Sequence, residues 1–271
     1  MSLRLRLFLS GSALAVFALP AFSALASSSY VPDFVNLPET AGIYSVPGNS
    51  RLKLRVFVHE PGRANPAKPN PSPTPAPTLN CTLTDPDSAS VVGLTGWSLP
   101  AGEWTYRLNP SSNPSLAAAL PEIAENSFSA WTASDFSDLG DSVSFRRVLD
   151  TTAVRATYDG QNIIAWGRTS GSALAVTYTW YYPDIGLAVE TDTIFNKKFP
   201  WSWSGGSTQC AYQGVYDAQE ILVHELGHWF GLDDEYTSEF VDNTMFGYGS
   251  TGEVKKNTPA SGDFSALNSL Y

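Results

Sequence analysis

The stretch His224-Glu225-Leu226-Gly227-His228-Trp229-Phe230-Gly231-Leu232-Asp233-Asp234 gathers residue types that bind and activate a metal ion. On a helix, histidines four apart project from one face, one turn above the other. Their imidazoles can converge on one zinc ion at about 2.0–2.1 Å. Glu225 is rotated around the helix from His224, so it can reach a metal-bound water without ligating the metal, which is the position of a general base. Gly231 lets the chain leave the helix with positive φ, and three residues later Asp234 can swing back to offer a carboxylate oxygen as third ligand. Asp233 and Glu235 compete for that role, and the spacing from Gly231 favours Asp234. Two imidazoles and one carboxylate leave a fourth position for water, as in catalytic rather than structural zinc.

A bare pair of histidines with this spacing also arises by chance on solvated helices. Here the other positions are Ile221, Leu222, Val223, Leu226, Trp229 and Phe230. Burying two imidazoles and a carboxylate among them without partners would be costly, which favours the metal. The chain has 3 histidines. The third, His59, precedes a proline-rich stretch and is read as lying outside the domain, so the third ligand must be something else.

The elements that must position these residues are readable. Asp217-Ala218-Gln219-Glu220 is a capping box opening a helix that runs to about Phe230. Ser115–Trp131 carries apolar residues at helical spacing, and Asp263–Leu270 reads as a closing helix. Trp104–Leu108, Val143–Val148, Ala153–Tyr158, Ile163–Trp166, Leu174–Tyr182 and Ala188–Phe195 read as strands. Strands and helices are partly segregated, which is an α+β pattern. Arg51–Val58 alternates basic and apolar residues, the period of one half-buried strand.

The 271 residues are 43% hydrophobic and 15% charged, enough for one sizeable core. A net charge of −10 argues against nucleic acid and anionic membranes as partners. Arg4 and Arg6, an apolar run from Leu7 to Phe22 and Ala24-Leu25-Ala26 read as an export signal over 1–26, so the expected location is extracellular with no membrane attachment after its removal. Pro61 to Pro77 carries proline at every second or third residue, the composition of an extended linker. The expected division is therefore 1–26 signal, 27–60 pro-segment or appendage, 61–79 linker and 80–271 domain. Cys81 and Cys210 are the 2 cysteines. In an exported chain they are expected as a disulfide, with a metal-blocking Cys81 thiolate as the alternative.

HELGHWFGLDD matches the extended signature HExxHxxGxx(H/D), and the chain resembles the metzincin metalloproteases, nearest their matrixin-like branch. Asn243-Thr244-Met245-Phe246 resembles the Met-turn of that clan, and Glu190–Asn196 resembles the strand before the active-site helix. Asp234 stands where most matrixins have histidine, as in snapalysin-type enzymes. The resemblance implies a zincin-like fold with a twisted mixed sheet, a long zinc helix and Met245 beneath the metal. It also implies zinc-dependent hydrolysis of peptide bonds by a monomer acting on protein or peptide, with Glu225 catalytic. An edge strand would bind the substrate by main-chain pairing, and Ser172–Thr179 is the candidate. Tyr248 is a candidate for the substrate pocket, with packing the plainer reading. The acidic loop Asp135–Asp141 is a candidate for calcium, with a solvated loop the plainer reading. Two rivals stand beside this: a catalytically silent binding module on the same scaffold, and an extracellular aromatic-rich adhesin or carbohydrate-binding protein suggested by 8 tryptophans and 12 tyrosines.

Overall fold

The computed structural model describes residues 37–62, 76–132, 136–169 and 171–271. In chain order the strands are β1 (Gly42–Val46), β2 (Asn49–Pro61), β3 (Leu79–Asn80), β4 (Gly102–Leu108), β5 (Val143–Arg147), β6 (Ile163–Gly167), β7 (Ala175–Tyr182), β8 (Leu187–Asn196), β9 (Trp201–Ser202), β10 (Ala211–Tyr212), β11 (Tyr216–Asp217) and β12 (Tyr248–Gly249). The α-helices are α1 (Leu120–Thr132), α2 (Leu139–Ser142), α3 (Ala218–Trp229) and α4 (Ser261–Leu267). Eight strands form one mixed sheet in the order β1-β2-β7-β8-β6-β4-β5, with β12 parallel to β2. The β8, β6, β4 and β5 neighbours are parallel, whereas β7 is antiparallel to both β8 and β2. A mixed sheet with few helices fits the α+β reading. Among the described residues, no helix is long and apolar enough to cross a membrane.

Helices α1 and α3 pack on one face of the sheet around Trp97, Leu120, Ile123, Phe128, Trp131, Leu222 and Phe230. Trp131 Nε1 donates to the Val223 carbonyl at 2.8 Å, and Trp229 Nε1 donates to Thr193 Oγ1 of β8 at 2.9 Å. These two bonds fix the height and rotation of α3 against its neighbours. A second cluster on the opposite sheet face joins Leu52, Leu54 and Val56 to Val176, Tyr178 and Trp180.

Several expectations need correction. The reading that set residues 27–60 apart from the domain does not hold for β1 and β2. β2 pairs antiparallel with β7 from Lys53↔Tyr181 to His59↔Ala175, and β1 pairs with β2. An alternating strand cannot make a core alone, but added to a sheet it buries both faces: Leu52, Leu54 and Val56 on one, Phe57 and His59 on the other. The described residues belong to one compact unit. For the same reason Ser172–Thr179 is no edge: β7 lies between β2 and β8.

Ala153–Tyr158 is not a strand. Its neighbourhood is held by carboxylates of β8 in place of a ladder: Thr157 N donates to Asp192 Oδ2 at 3.0 Å and Asp159 N to Glu190 Oε1 at 2.9 Å. Helix α1 starts at Leu120 rather than Ser115. Pro121 explains the shift, since it is tolerated in a first turn but would delete a hydrogen bond deeper inside a helix. The export signal at 1–26, most of the proline-rich stretch and Asp135 lie outside the described residues.

Candidate metal centre

Helix α3 opens at Asp217, whose side chain accepts from the backbone N–H groups of Gln219 and Glu220 at 3.0 and 3.2 Å. The return half of the expected capping box is missing. Glu220 is fully buried and both its carboxylate oxygens lack a hydrogen-bond partner. The helix closes at Phe230, and Gly231 follows at φ 102°. A Cβ there would overlap the Trp97 carbonyl oxygen, so glycine is required for space as well as for backbone conformation.

The two helical histidines are held in one tautomer. His224 Nδ1 lies 2.7 Å from the Thr244 carbonyl and His228 Nδ1 lies 3.0 Å from the Leu232 carbonyl. A carbonyl only accepts, so both Nδ1 atoms carry the proton and both Nε2 atoms present lone pairs. Asp234 Oδ1 stands 3.2 Å from His224 Nε2 and 3.5 Å from His228 Nε2. All three atoms are buried and without a hydrogen-bond partner. Acceptors facing one another in a dry site are satisfied by a shared proton or a shared cation, and these lie within ligand reach of each other. The donor set therefore fits a metal ion. The two competitors for third ligand are engaged elsewhere: Asp233 Oδ1 pairs with Arg55 at 2.9 Å, and Glu235 Oε1 accepts from Gly93 N at 2.9 Å.

The electrostatics follow from burial and from the partners. Burial, reinforced by the Lys256 charge, pushes His224 down to about 4. Burial pulls His228 the same way, but the Asp234 carboxylate outweighs it and raises His228. Burial would raise Asp234; the His228 charge and the two imidazole contacts instead hold it well below the carboxylate range. Burial lifts Glu225 to about 7, against the opposing pull of His228 and the Thr177 hydrogen bond.

Glu225 is fixed on both sides. Thr177 of β7 donates its hydroxyl to Oε2 at 2.6 Å, and His59 of β2 reaches Oε1 through Nδ1 at 3.2 Å. His59 was placed outside the domain by the sequence reading, yet it is fully buried here. Its other nitrogen, Nε2, lies 3.1 Å from Lys256 Nζ, which also donates to the Phe246 and Tyr248 carbonyls at 2.7 and 2.8 Å. An ammonium has no acceptor, so His59 Nε2 accepts and Nδ1–H donates to Glu225. His59, His224 and Glu225 also come within ligand reach of one another. Both His59 nitrogens are spent, however, and only the His224–His228–Asp234 set has free donor atoms. No signal near His59 could have announced this, because its partners are distant in sequence.

The loop beneath the helix is built from the chain's end. Asp263 of α4 accepts from the N–H groups of Thr244, Met245 and Ala260 at 2.8, 3.3 and 2.9 Å. That holds the Thr244 carbonyl on His224 and seats Met245, fully buried, against Gly227. Tyr248 packs edge-on against Tyr236 and Phe246 and lines a cavity of about 550 Å³ with Glu60, Ser172 and Tyr236. Tyr236 was missed in the sequence; burial and then the neighbouring Asp234 charge push its hydroxyl up. Cys81 and Cys210 form a disulfide beside the β3–β10 pair, so Cys81 is no metal-blocking thiolate here. Among the described residues no acidic cluster of ligand spacing forms at 136–141. No family model matches the chain, and no curated protein matches it.

Proposed function

We propose that the chain is an exported, zinc-dependent endopeptidase of the metzincin type, hydrolysing peptide bonds within proteins. The observation that carries the reading is the convergence of His224 Nε2, His228 Nε2 and Asp234 Oδ1, buried and unpartnered, with Glu225 one residue from the first ligand. Zinc is the metal proposed because two imidazoles and one carboxylate are its catalytic donor set; bound there, it would supply Lewis acidity toward a carbonyl and a water. Glu225, raised toward neutrality by its burial, is suited to take a proton from that water and pass it to the leaving amine. Thr177 and His59 orient its carboxylate. The loop of Thr244 and Met245 supports the ligand helix from below, as the Met-turn does in the metzincins. Tyr236 and Tyr248 are proposed to line the approach to the site.

The silent-module reading gains one observation: His224, Glu225 and His228 are all fully buried. Glu225→Gln separates the two. The endopeptidase reading expects zinc retained at wild-type stoichiometry and casein hydrolysis reduced by about 10³-fold or more, the scale for loss of an essential proton-transfer group. Equal hydrolysis by both forms would remove Glu225 as base. Zinc bound with no hydrolysis by either form would leave the silent module.

A further inference from the structure

We infer that Lys256 is a positioning residue for Glu225: its ammonium fills a cradle of His59 Nε2 and the Phe246 and Tyr248 carbonyls, and so keeps His59 turned to donate to the Glu225 carboxylate. The inference rests on the proposed endopeptidase reading for what Glu225 does, but the cradle itself stands on geometry.

Lys256 sits in the single-turn helix Lys255–Asn257, beyond the Met245 loop. Among the described residues it is the one fully buried Lys or Arg. A buried ammonium is costly unless each of its hydrogens meets an acceptor. Three acceptors surround Nζ: the Phe246 carbonyl at 2.7 Å, the Tyr248 carbonyl at 2.8 Å and His59 Nε2 at 3.1 Å. Burial pulls the ammonium down, and the acids Glu220 and Glu253 oppose that pull. The wall beside the imidazole is a glycine. A Cβ on Gly249 would lie 3.0 Å from His59 Nε2 and 2.9 Å from Ile221 Cδ1, so a side chain there would push the ring off the ammonium.

Each oxygen of Glu225 ends a chain of directed donors. On one side Trp229 Nε1 donates to Thr193, the Thr193 and Thr177 hydroxyls lie 2.7 Å apart, and Thr177 donates to Oε2. An indole N–H only donates, which fixes the direction of that chain. On the other side Lys256 donates to His59, and His59 donates through Nδ1 to Oε1. This second chain begins on a charge, and an imidazole that accepts from an ammonium is the stronger donor at its other nitrogen. The same ammonium holds the two carbonyls that follow Met245, and Tyr248 pairs with Glu60 of β2, next to His59. One cation thus fixes the imidazole and the loop around it.

The test uses the zinc-loaded full chain with nitrogen-15 in its histidine rings; there are 3 histidines to resolve. In the wild type the His59 proton is expected on Nδ1, with Nε2 unprotonated. Lys256→Ala should move the His59 Nε2 signal, whether that nitrogen is left bare or taken by zinc. It should also lower kcat on casein by about 10–100-fold with KM unchanged, the scale for loss of an orienting partner. Added n-propylammonium replaces the atoms removed, Cγ to Nζ, and should restore both the signal and kcat. Propan-1-ol, of the same length without the charge, should restore neither. Lys256→Met keeps the buried volume and answers for a Lys256→Ala chain that does not fold: its Nε2 signal must move too. A proton on Nε2 in the wild type overturns the inference, because the amine would then accept and His59 could not donate to Glu225. An Nε2 signal unmoved by either substitution also overturns it. If the signal moves but wild type and variants cleave casein equally, the positioning role falls and the endopeptidase reading stands. If the signal moves and propylammonium restores it, yet no form cleaves casein, the cradle stands and the endopeptidase reading falls.

Discussion

Replacing Gly231 by alanine should damage both stability and the metal site, and a second glycine provides the control. Gly231 has φ 102° and Gly102 has φ 111°, so alanine is strained at both. That backbone strain costs about 1–2 kcal/mol. Around Gly102 an added Cβ meets nothing within 4 Å, whereas at Gly231 it overlaps the Trp97 carbonyl oxygen and crowds Leu270. The overlap forces a backbone shift worth about 1–3 kcal/mol more. Gly102→Ala should thus cost about 1–2 kcal/mol, and Gly231→Ala about 2–5 kcal/mol. The shift cannot stay local. The Gly231 carbonyl accepts from Thr95 N and Thr95 Oγ1 at 2.9 and 2.8 Å, and the next carbonyl, of Leu232, orients His228. Loosening a carbonyl that orients a ligand should weaken zinc binding by about 10–100-fold in Gly231→Ala and leave Gly102→Ala unchanged. Urea unfolding of the zinc-free proteins gives the first pair of numbers, and competition against a chelator gives the second. Equal stability losses with equal zinc affinities would refute the steric account of the helix exit.

Zinc binding should release a proton at pH values below the raised His228 value. In the metal-free site the Asp234 carboxylate raises His228, and zinc must displace the proton it holds there. Affinity should therefore climb as pH rises toward the raised His228 value and level off above it. Calorimetry in buffers of different ionisation enthalpy reads the proton directly, and an affinity falling over that interval would reverse the assignment. Reduction of Cys81–Cys210 should lower stability by about 5 kcal/mol, the chain-entropy figure for a loop of that length. The two bridged residues are 129 positions apart. A urea midpoint unmoved by reductant would show that the bridge adds nothing to the β3–β10 pairing.

The metal helix was legible because a helix converts sequence spacing directly into geometry. His224 and His228, four apart, fall on one face whatever surrounds them, and the apolar residues between them already implied burial. The exit was legible too, since Gly231 answers a local demand on φ. What failed were statements about which strand lies beside which. The proline-rich sequence reports its own conformation and says nothing of pairing between β2 and β7, so it was taken for a boundary that the sheet ignores. Ala153–Tyr158 has the composition of a strand, but the acids that hold it sit on β8, some 30 residues later. Asp263, which fixes the loop under His224, is likewise invisible to any local rule.

His59 makes the same point about ligand choice. Counting histidines suggested that no third imidazole was near, so a carboxylate had to complete the set. The carboxylate is there, but the premise is wrong: the third imidazole stands 3.9 Å from the ring of His224. What disqualifies it is hydrogen bonding. Lys256 claims its Nε2 and Glu225 claims the proton on Nδ1, so no lone pair is left for a metal. Asp234 is the free acceptor because His59 is occupied, not because it is absent. A substitution that removed the ammonium, Lys256→Met, would free that nitrogen. It would thereby turn a residue that orients the proposed base into a competitor for the proposed metal.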